Sequence, residues 1–408
     1  MSAALGVPRA AAIYLGVVQF LFATTWTLYV IYLPALAENA GIEKHWVPWI
    51  LVADQVIIAA MDVITGFWAD RVRAGLARLG GWILALSTLS CIAFIAMPFA
   101  GASATTLLAL ILVWGLTSSA LRAPLWLLLA RYAAMPSVPW LSTLVLTGTA
   151  LAAAFAPFLG IAMRDVDPRL PFALSTLTLL VTVGGLVLVE RRLAAAAPTP
   201  AAELEPMRDL GSPAVKREIA LFFAALLLMA ASYQVHFSLN SSDLFLFFSD
   251  ASQLQYLMPV FWIGFNVMMF PAAGFVKRYG AFAVMAAGSA AGAAATYAAM
   301  VAPTLDALVA AQFIAGGCWG AANVAAFTAA IGFGRTKREG RFLGGLFAIL
   351  AIAAFLRIGA YTGNIESSPA IGKLLAWGPT WGWLLAALLL LAALLLLAAM
   401  LGSRRRPA

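Results

Sequence analysis

The chain has 408 residues, of which 63% are hydrophobic and only 10% are charged, and its mean hydropathy is +0.96. A soluble domain carries about a quarter of its residues charged, so this composition excludes an ordinary soluble protein. The formal net charge of +8 would indicate a nucleic-acid partner in a soluble chain. Here the basic residues concentrate in alternate loops, so we expect a lipid bilayer around the chain and no nucleic acid.

Apolar stretches long enough to cross about 30 Å of hydrocarbon recur along the sequence. The predicted fold is an all-α polytopic membrane protein with twelve transmembrane helices. A polar connection at 190–217 predicts a division into an N-terminal six-helix bundle (1–189) and a C-terminal one (218–408). The twelve helices are predicted at 11–37, 46–69, 79–100, 104–131, 140–163, 170–189, 218–241, 254–276, 280–301, 304–333, 342–365 and 377–401.

The loops differ strongly in basic content. One set of alternate loops holds nearly all of the lysines and arginines, whereas the other set holds only Lys44, Arg164, Arg169 and Lys373. The positive-inside rule therefore predicts that both termini and the 190–217 connection are cytoplasmic. Spans rich in alanine and leucine suggest a bacterial inner membrane, and we expect a monomer.

The end of the second predicted helix carries a short motif. The segment Gly66-Phe-Trp-Ala-Asp70-Arg71-Val-Arg73 resembles the loop signature of the major facilitator superfamily. The resemblance implies two six-helix repeats and a secondary transporter that works by alternating access. It also implies a gating contact, in which Asp70 interacts with the positive N-terminal end of a neighbouring helix.

The two halves repeat this pattern. The segment Gly274-Phe-Val-Lys-Arg-Tyr-Gly280 is a degenerate copy of the first loop, and Trp114-Gly115 matches Trp319-Gly320 at a similar separation. Parallel repeats of six helices are the construction of this superfamily.

Ionisable residues inside the spans are costly in hydrocarbon and need a partner or a wet cavity. Asp62 and Arg122 have similar predicted depths and form an expected pair, either a site where a proton or an anionic substrate competes or a fixed structural salt bridge. Asp54 and Arg357 are hypothesised to form a bridge that closes the outer side, with substrate binding by Arg357 as the alternative. His236 either titrates near neutral pH or packs as a neutral side chain.

The second helix also resembles that of the glycoside–pentoside–hexuronide cation symporters through Asp62-Val-Ile-Thr-Gly66. Val63 replaces the proline of that pattern, and Ile58 replaces its second carboxylate. A sodium ion needs several oxygen ligands, so these departures favour proton coupling, with sodium possible. The spacing of Thr143, Ala152, Ala156-Pro157 and Gly160 is faintly similar to the antiporter signature and would fit export.

Polar and aromatic side chains within the spans predict a substrate cavity, although each could instead form an interhelical hydrogen bond. These candidates are Gln19, Trp26, Tyr29, Gln55, Asn240, Asn266, Asn323 and Tyr361.

The sequence therefore predicts a secondary active transporter of a small organic solute. Two intramembrane arginines favour an organic anion, with proton coupling. The alternatives are a sugar/cation symporter, a drug or metabolite exporter, and a non-transporting receptor or assembly factor. No enzyme activity, cofactor or metal site is expected, because the two cysteines and two histidines form no ligand motif.

Overall fold

The structure is a computed structural model that describes residues 8–71, 79–196, 209–335, 337–363 and 369–404. Within these ranges it contains twelve helices long and apolar enough to cross a membrane and no strand, which confirms the predicted fold class. The twelve are α1 Arg9–Asn39, α2 Lys44–Arg71, α3 Leu79–Phe99, α4 Ala104–Tyr132, α5 Met135–Ala162, α6 Arg169–Ala195, α7 Pro213–Leu246, α8 Ala251–Tyr279, α9 Ala281–Met300, α10 Leu305–Gly334, α11 Glu339–Thr362 and α12 Pro369–Arg404.

The helices begin and end within a few residues of the predicted positions, with the largest differences at helix starts. α12 begins at Pro369 rather than 377, and α7 begins at Pro213 rather than 218. Proline is well suited to the first turn of a helix, because its missing N–H has no helical partner there. Each of these prolines therefore starts a helix ahead of the apolar run that marks the span.

Two spans are interrupted. α4 consists of a helix over Ala104–Ser118, a 3-10 turn over Ser119–Leu121 and a second helix over Ala123–Tyr132. α7 consists of Pro213–Val235, a π-helical turn over His236–Asn240 and a last segment over Ser241–Leu246. Such departures from α-helical geometry inside a span are frequent at functional positions.

The described chain divides into two compact units. The first comprises Met1–Pro206 and Gly334–Thr362, and the second comprises Met207–Phe333 and Gly363–Ala408. The eleventh span therefore belongs to the first compact unit, because α11 packs closely against α2. The predicted repeat boundary at 190–217 stays a prediction, and its residues 197–208 lie outside the described ranges.

In the first unit, glycines permit the closest helix contacts. A Cβ atom added to Gly66 of α2 would collide with the carbonyl oxygen of Gly340, and one added to Gly344 would collide with the carbonyl oxygen of Asp62. Likewise, a Cβ atom on Gly148 of α5 would collide with the carbonyl oxygen of Gly16 in α1. Small residues bring helix backbones together in a bilayer, where packing rather than water drives association.

The tryptophans predicted to be repeat equivalents occupy the cores of their own units. Trp114 is buried and stacks on Trp26 with ring centroids 5.5 Å apart. Trp319 is also buried and stacks on Tyr233 with centroids 4.9 Å apart. In both cases the tryptophan joins neighbouring helices through ring contacts.

Candidate functional site: a charged pair at a broken helix

The interruption of α4 has a cause in the sequence. Pro124 lies in the first turn of the helix Ala123–Tyr132. Its ring nitrogen carries no hydrogen, so it cannot donate to the carbonyl one turn earlier, and its ring opposes a continuous helix. Arg122 consequently has a non-helical backbone, with φ −103° and ψ −106°.

The break also exposes carbonyl groups that the helix would otherwise satisfy. Gln19 of α1 donates from Nε2 to the carbonyl oxygen of Leu121 at 2.7 Å, and this contact is buried. A side-chain donor at this point compensates for the lost helical hydrogen bond. Gln19 was predicted to line a cavity; its described contact instead supports the backbone next to Arg122.

The guanidinium of Arg122 reaches Asp62 of α2, which confirms the expected pair. Nε of Arg122 lies 3.0 Å from Oδ1 and 2.9 Å from Oδ2 of Asp62. The Asp62 side chain is fully buried, whereas that of Arg122 retains 22% exposure. The carboxylate is thus held by a single nitrogen, and the more exposed member of the pair is the cation.

The remaining face of Arg122 is directed at α11. Its Nη2 atom lies 3.5 Å from the carbonyl oxygen of Phe347, which is the limit for a hydrogen bond, and its Cζ atom lies 5.0 Å from the centroid of the Phe347 ring. Such a cation–π contact holds the guanidinium without neutralising its charge. The terminal nitrogens therefore keep donor capacity for a further acceptor.

The loop signature makes the contact that the resemblance implies. Asp70 accepts hydrogen bonds from the backbone nitrogens of Gly340 at 2.7 Å and Arg341 at 2.9 Å. These are among the first residues of α11, where unpaired N–H groups and the helix dipole favour a carboxylate. Arg71 is exposed, and Arg73 lies outside the described residues.

Asp54 is buried in α2 and accepts a hydrogen bond of 2.6 Å from the hydroxyl of Tyr29. Tyr29 packs against Trp26 and Trp114, with centroids 5.5 and 4.6 Å away. Two predicted cavity residues, Trp26 and Tyr29, thus surround this carboxylate. Arg357 is half-buried, and its bridge to Asp54 stays a prediction.

His236 belongs to a buried polar chain in the second unit. Its Nε2 atom lies 3.1 Å from Oε1 of Gln312, whose Nε2 donates to Oγ of Ser241 at 2.9 Å. Ser241 in turn donates to the carbonyl oxygen of His236 at 2.8 Å. This cycle fixes the π-helical turn at His236–Asn240.

The other cavity candidates differ in their contacts. Asn266 and Asn323 donate to the carbonyl oxygens one turn earlier in their own helices, at Trp262 and Trp319. Asn240 instead bridges to α12, as described below. The last two candidates have no printed hydrogen bond: Gln55 is buried, and Tyr361 is 60% exposed.

Sequence reasoning did not identify the break at Arg122. The signal was available as Pro124, two residues after an arginine in the middle of an apolar run. A proline inside a helical pattern predicts an interruption just before it.

The fold and the loop contact define a class of membrane transporter, and comparison with known proteins agrees. A profile of the Major Facilitator Superfamily matches residues 15–356. The chain belongs to this superfamily and is a membrane transporter. No curated protein matches the sequence.

Solved structures with the same fold have distant sequences. The human organic anion transporter MFSD10 (TETRAN) has a TM-score of 0.66 at 15% identity, covering 96% of this chain and 99% of its own. The fucose:proton symporter FucP of E. coli has a TM-score of 0.65 at 13% identity, covering 95% and 98%. A bacterial homologue of the iron transporter ferroportin, in an outward-facing state, has a TM-score of 0.74 at 11% identity, covering 94% and 99%.

Proposed function

We propose that this transporter moves a small organic anion together with a proton, and that Asp62 and Arg122 handle both. The observation that carries the proposal is the one-sided geometry of the pair. Nε of Arg122 binds the fully buried carboxylate of Asp62, while the terminal nitrogens lack a strong acceptor. A carboxylate of a substrate fits such a fork through two parallel hydrogen bonds.

Charge balance couples the two ligands. While Asp62 is ionised, it neutralises Arg122; when Asp62 takes up a proton, the arginine is left without a counter-charge. An unpaired charge inside a membrane protein costs several kcal/mol, and an incoming organic anion removes that cost. Proton and anion therefore bind together, which is the requirement for symport by alternating access.

The setting of the protein belongs to the same proposal. The distribution of basic residues between alternate loops supports cytoplasmic termini, and the composition supports a bacterial inner membrane. We propose that a monomer suffices, since each predicted site residue comes from one chain. The printed description of MFSD10 as an organic anion transporter agrees with the substrate class, although the likeness concerns the fold alone.

The first test is a thermal-unfolding screen of the purified protein against small carboxylates, neutral sugars and drugs. The screen is run at acidic and alkaline pH, with and without sodium. A ligand that binds the folded state raises the unfolding midpoint by mass action. We expect carboxylates to be the ligands, with stronger binding at acidic pH and no need for sodium.

The second test is proton movement in liposomes that contain the protein and a pH-sensitive dye. The carboxylate should drive proton uptake in the wild type. Asp62→Asn should retain binding and lose proton uptake, and Arg122→Gln should weaken binding by about 10- to 100-fold, the value of a charged hydrogen-bonded contact. The matched control is Arg278→Gln, which alters an exposed arginine of α8 and should change neither.

Some results would contradict the proposal. A neutral sugar that requires sodium would support the sugar/cation symporter instead. A carboxylate whose binding is the same in Arg122→Gln and in the wild type would remove the arginine from the site. Because Arg122→Gln could misfold, Arg122→Lys provides a second variant that keeps the charge and loses the planar fork.

A further inference from the structure

A cavity in the second unit lies apart from every group used above in the transport proposal. It has a volume of about 470 Å³ and is bounded by the last turns of α7, the end of α9 and the first part of α12. This volume is within the range of about 300–1,000 Å³ that small-molecule sites occupy. Its lining includes Asn240, Asp243, Phe247, Phe248 and Leu375.

The α7 wall of this cavity is held in place by hydrogen bonds. Nδ2 of Asn240 donates to the carbonyl oxygen of Leu375 at 3.0 Å and so joins α7 to α12. Asn240 is the last residue of the π-helical turn His236–Asn240, which the buried contacts among His236, Gln312 and Ser241 fix from within the unit. A fixed wall reduces the cost of ordering the protein when a ligand binds.

The charge in the lining is negative. Asp243 is exposed, and the ion pairs found among the described residues do not include it. Lys373 lies beside the lining residue Gly372 and is exposed, but it forms no such pair with Asp243. An ionised carboxylate only accepts hydrogen bonds, so the lining favours a ligand that carries positive charge.

The aromatic residues of the lining favour the same class of ligand. The Phe247 side chain is 82% exposed and meets the Phe248 ring edge to face, with centroids 5.0 Å apart. Aromatic faces attract cations, and their surfaces also bury apolar rings. A carboxylate next to such faces is suited to an organic cation rather than to a metal ion, which needs several oxygen ligands.

We propose that this cavity binds a monovalent organic cation with an apolar ring system, with Asp243 as the counter-ion and Phe247 and Phe248 as the aromatic contacts. The site is formed by the second unit alone, whereas Asp62 and Arg122 belong to the first unit. The inference is therefore independent of the anion proposal, and either can fail while the other stands.

The test uses ethidium as the probe and the full-length protein in nanodiscs of zwitterionic lipid, with empty nanodiscs subtracted. Saturable binding is measured by fluorescence anisotropy. Asp243→Asn should weaken ethidium binding about tenfold, which corresponds to about 1.4 kcal/mol. Phe247→Leu keeps an apolar side chain and removes the ring, and it should weaken binding about threefold or more.

Two controls separate charge recognition from apolar partitioning. Asp250→Asn makes the same change of charge at an exposed loop residue outside the lining and should leave ethidium binding unchanged. Phenanthridine has the same fused rings without the permanent charge, so its weaker binding should be equal in the wild type and in Asp243→Asn. The unfolding midpoint of each variant checks that the protein remains folded.

Three results would overturn the inference. They are the absence of saturable ethidium binding by the wild type, equal affinity of the wild type and Asp243→Asn, and an equal loss in Asp250→Asn. The second of these would mean that the cavity takes apolar molecules, such as a lipid chain, without selecting for charge.

Discussion

A single methyl group at Gly66 tests the contact between α2 and α11. In Gly66→Ala the new Cβ atom would overlap the carbonyl oxygen of Gly340 and lie 3.0 Å from its carbonyl carbon and 3.1 Å from Cα of Gly344. All three atoms belong to the backbone, so no side-chain rotation relieves the overlap, and one helix must move. Overpacking of this kind costs about 1–3 kcal/mol, against which the higher helix propensity of alanine returns at most about 1 kcal/mol.

We therefore expect Gly66→Ala to lower the free energy of unfolding by about 1–2 kcal/mol. The matched control is Gly274→Ala, at the position that the sequence repeat equates with Gly66. A Cβ atom added there meets nothing within 4 Å, so the variant should be neutral or more stable by up to about 1 kcal/mol. Equal effects of the two substitutions would refute the close contact of α2 and α11.

The assay is reversible unfolding in mixed detergent micelles, followed by circular dichroism as the fraction of denaturing detergent rises. The expected difference between the two variants is about 2 kcal/mol, the sum of one steric cost and one propensity gain. Thermal midpoints measured in one mild detergent provide an independent ranking.

Three further predictions concern polar contacts. In a double-mutant cycle, Asp62→Asn and Arg122→Gln should each cost about 3 kcal/mol of stability, near the low end for a broken buried pair because the arginine is partly exposed, and the double variant should cost clearly less than their sum; additive costs would show that the two groups do not interact. Asp70→Asn keeps one acceptor for two backbone N–H groups and should cost about 1–2 kcal/mol, and an unchanged unfolding midpoint would contradict the contact with α11. Tyr29→Phe removes the described donor to the buried Asp54 carboxyl and should cost about 1–3 kcal/mol, and no loss would mean that another group satisfies the carboxyl.

The pairing of Asp62 with Arg122 could be predicted from the sequence because ionisable groups within hydrocarbon need partners, and helical rise gave both residues a similar depth. The same reasoning did not give Asp54 its partner. The nearest suitable group is the hydroxyl of Tyr29, and a search restricted to opposite charges passes over such neutral donors. Likewise, Gln19 was assigned to a cavity because its carbonyl partner at Leu121 exists only where α4 is broken.

The sequence by itself determined the number of spans, the superfamily and the contact of Asp70 with a helix N-terminus. These features depend on local quantities: the length of apolar runs, the charge of loops and a short motif. Gly66 and Gly274 are equivalent in that local pattern, yet Gly66 meets a backbone carbonyl and Gly274 faces open space. Only the tertiary structure decided this difference, because the space around a residue is set by the helix that packs against it, and no local pattern specifies that neighbour.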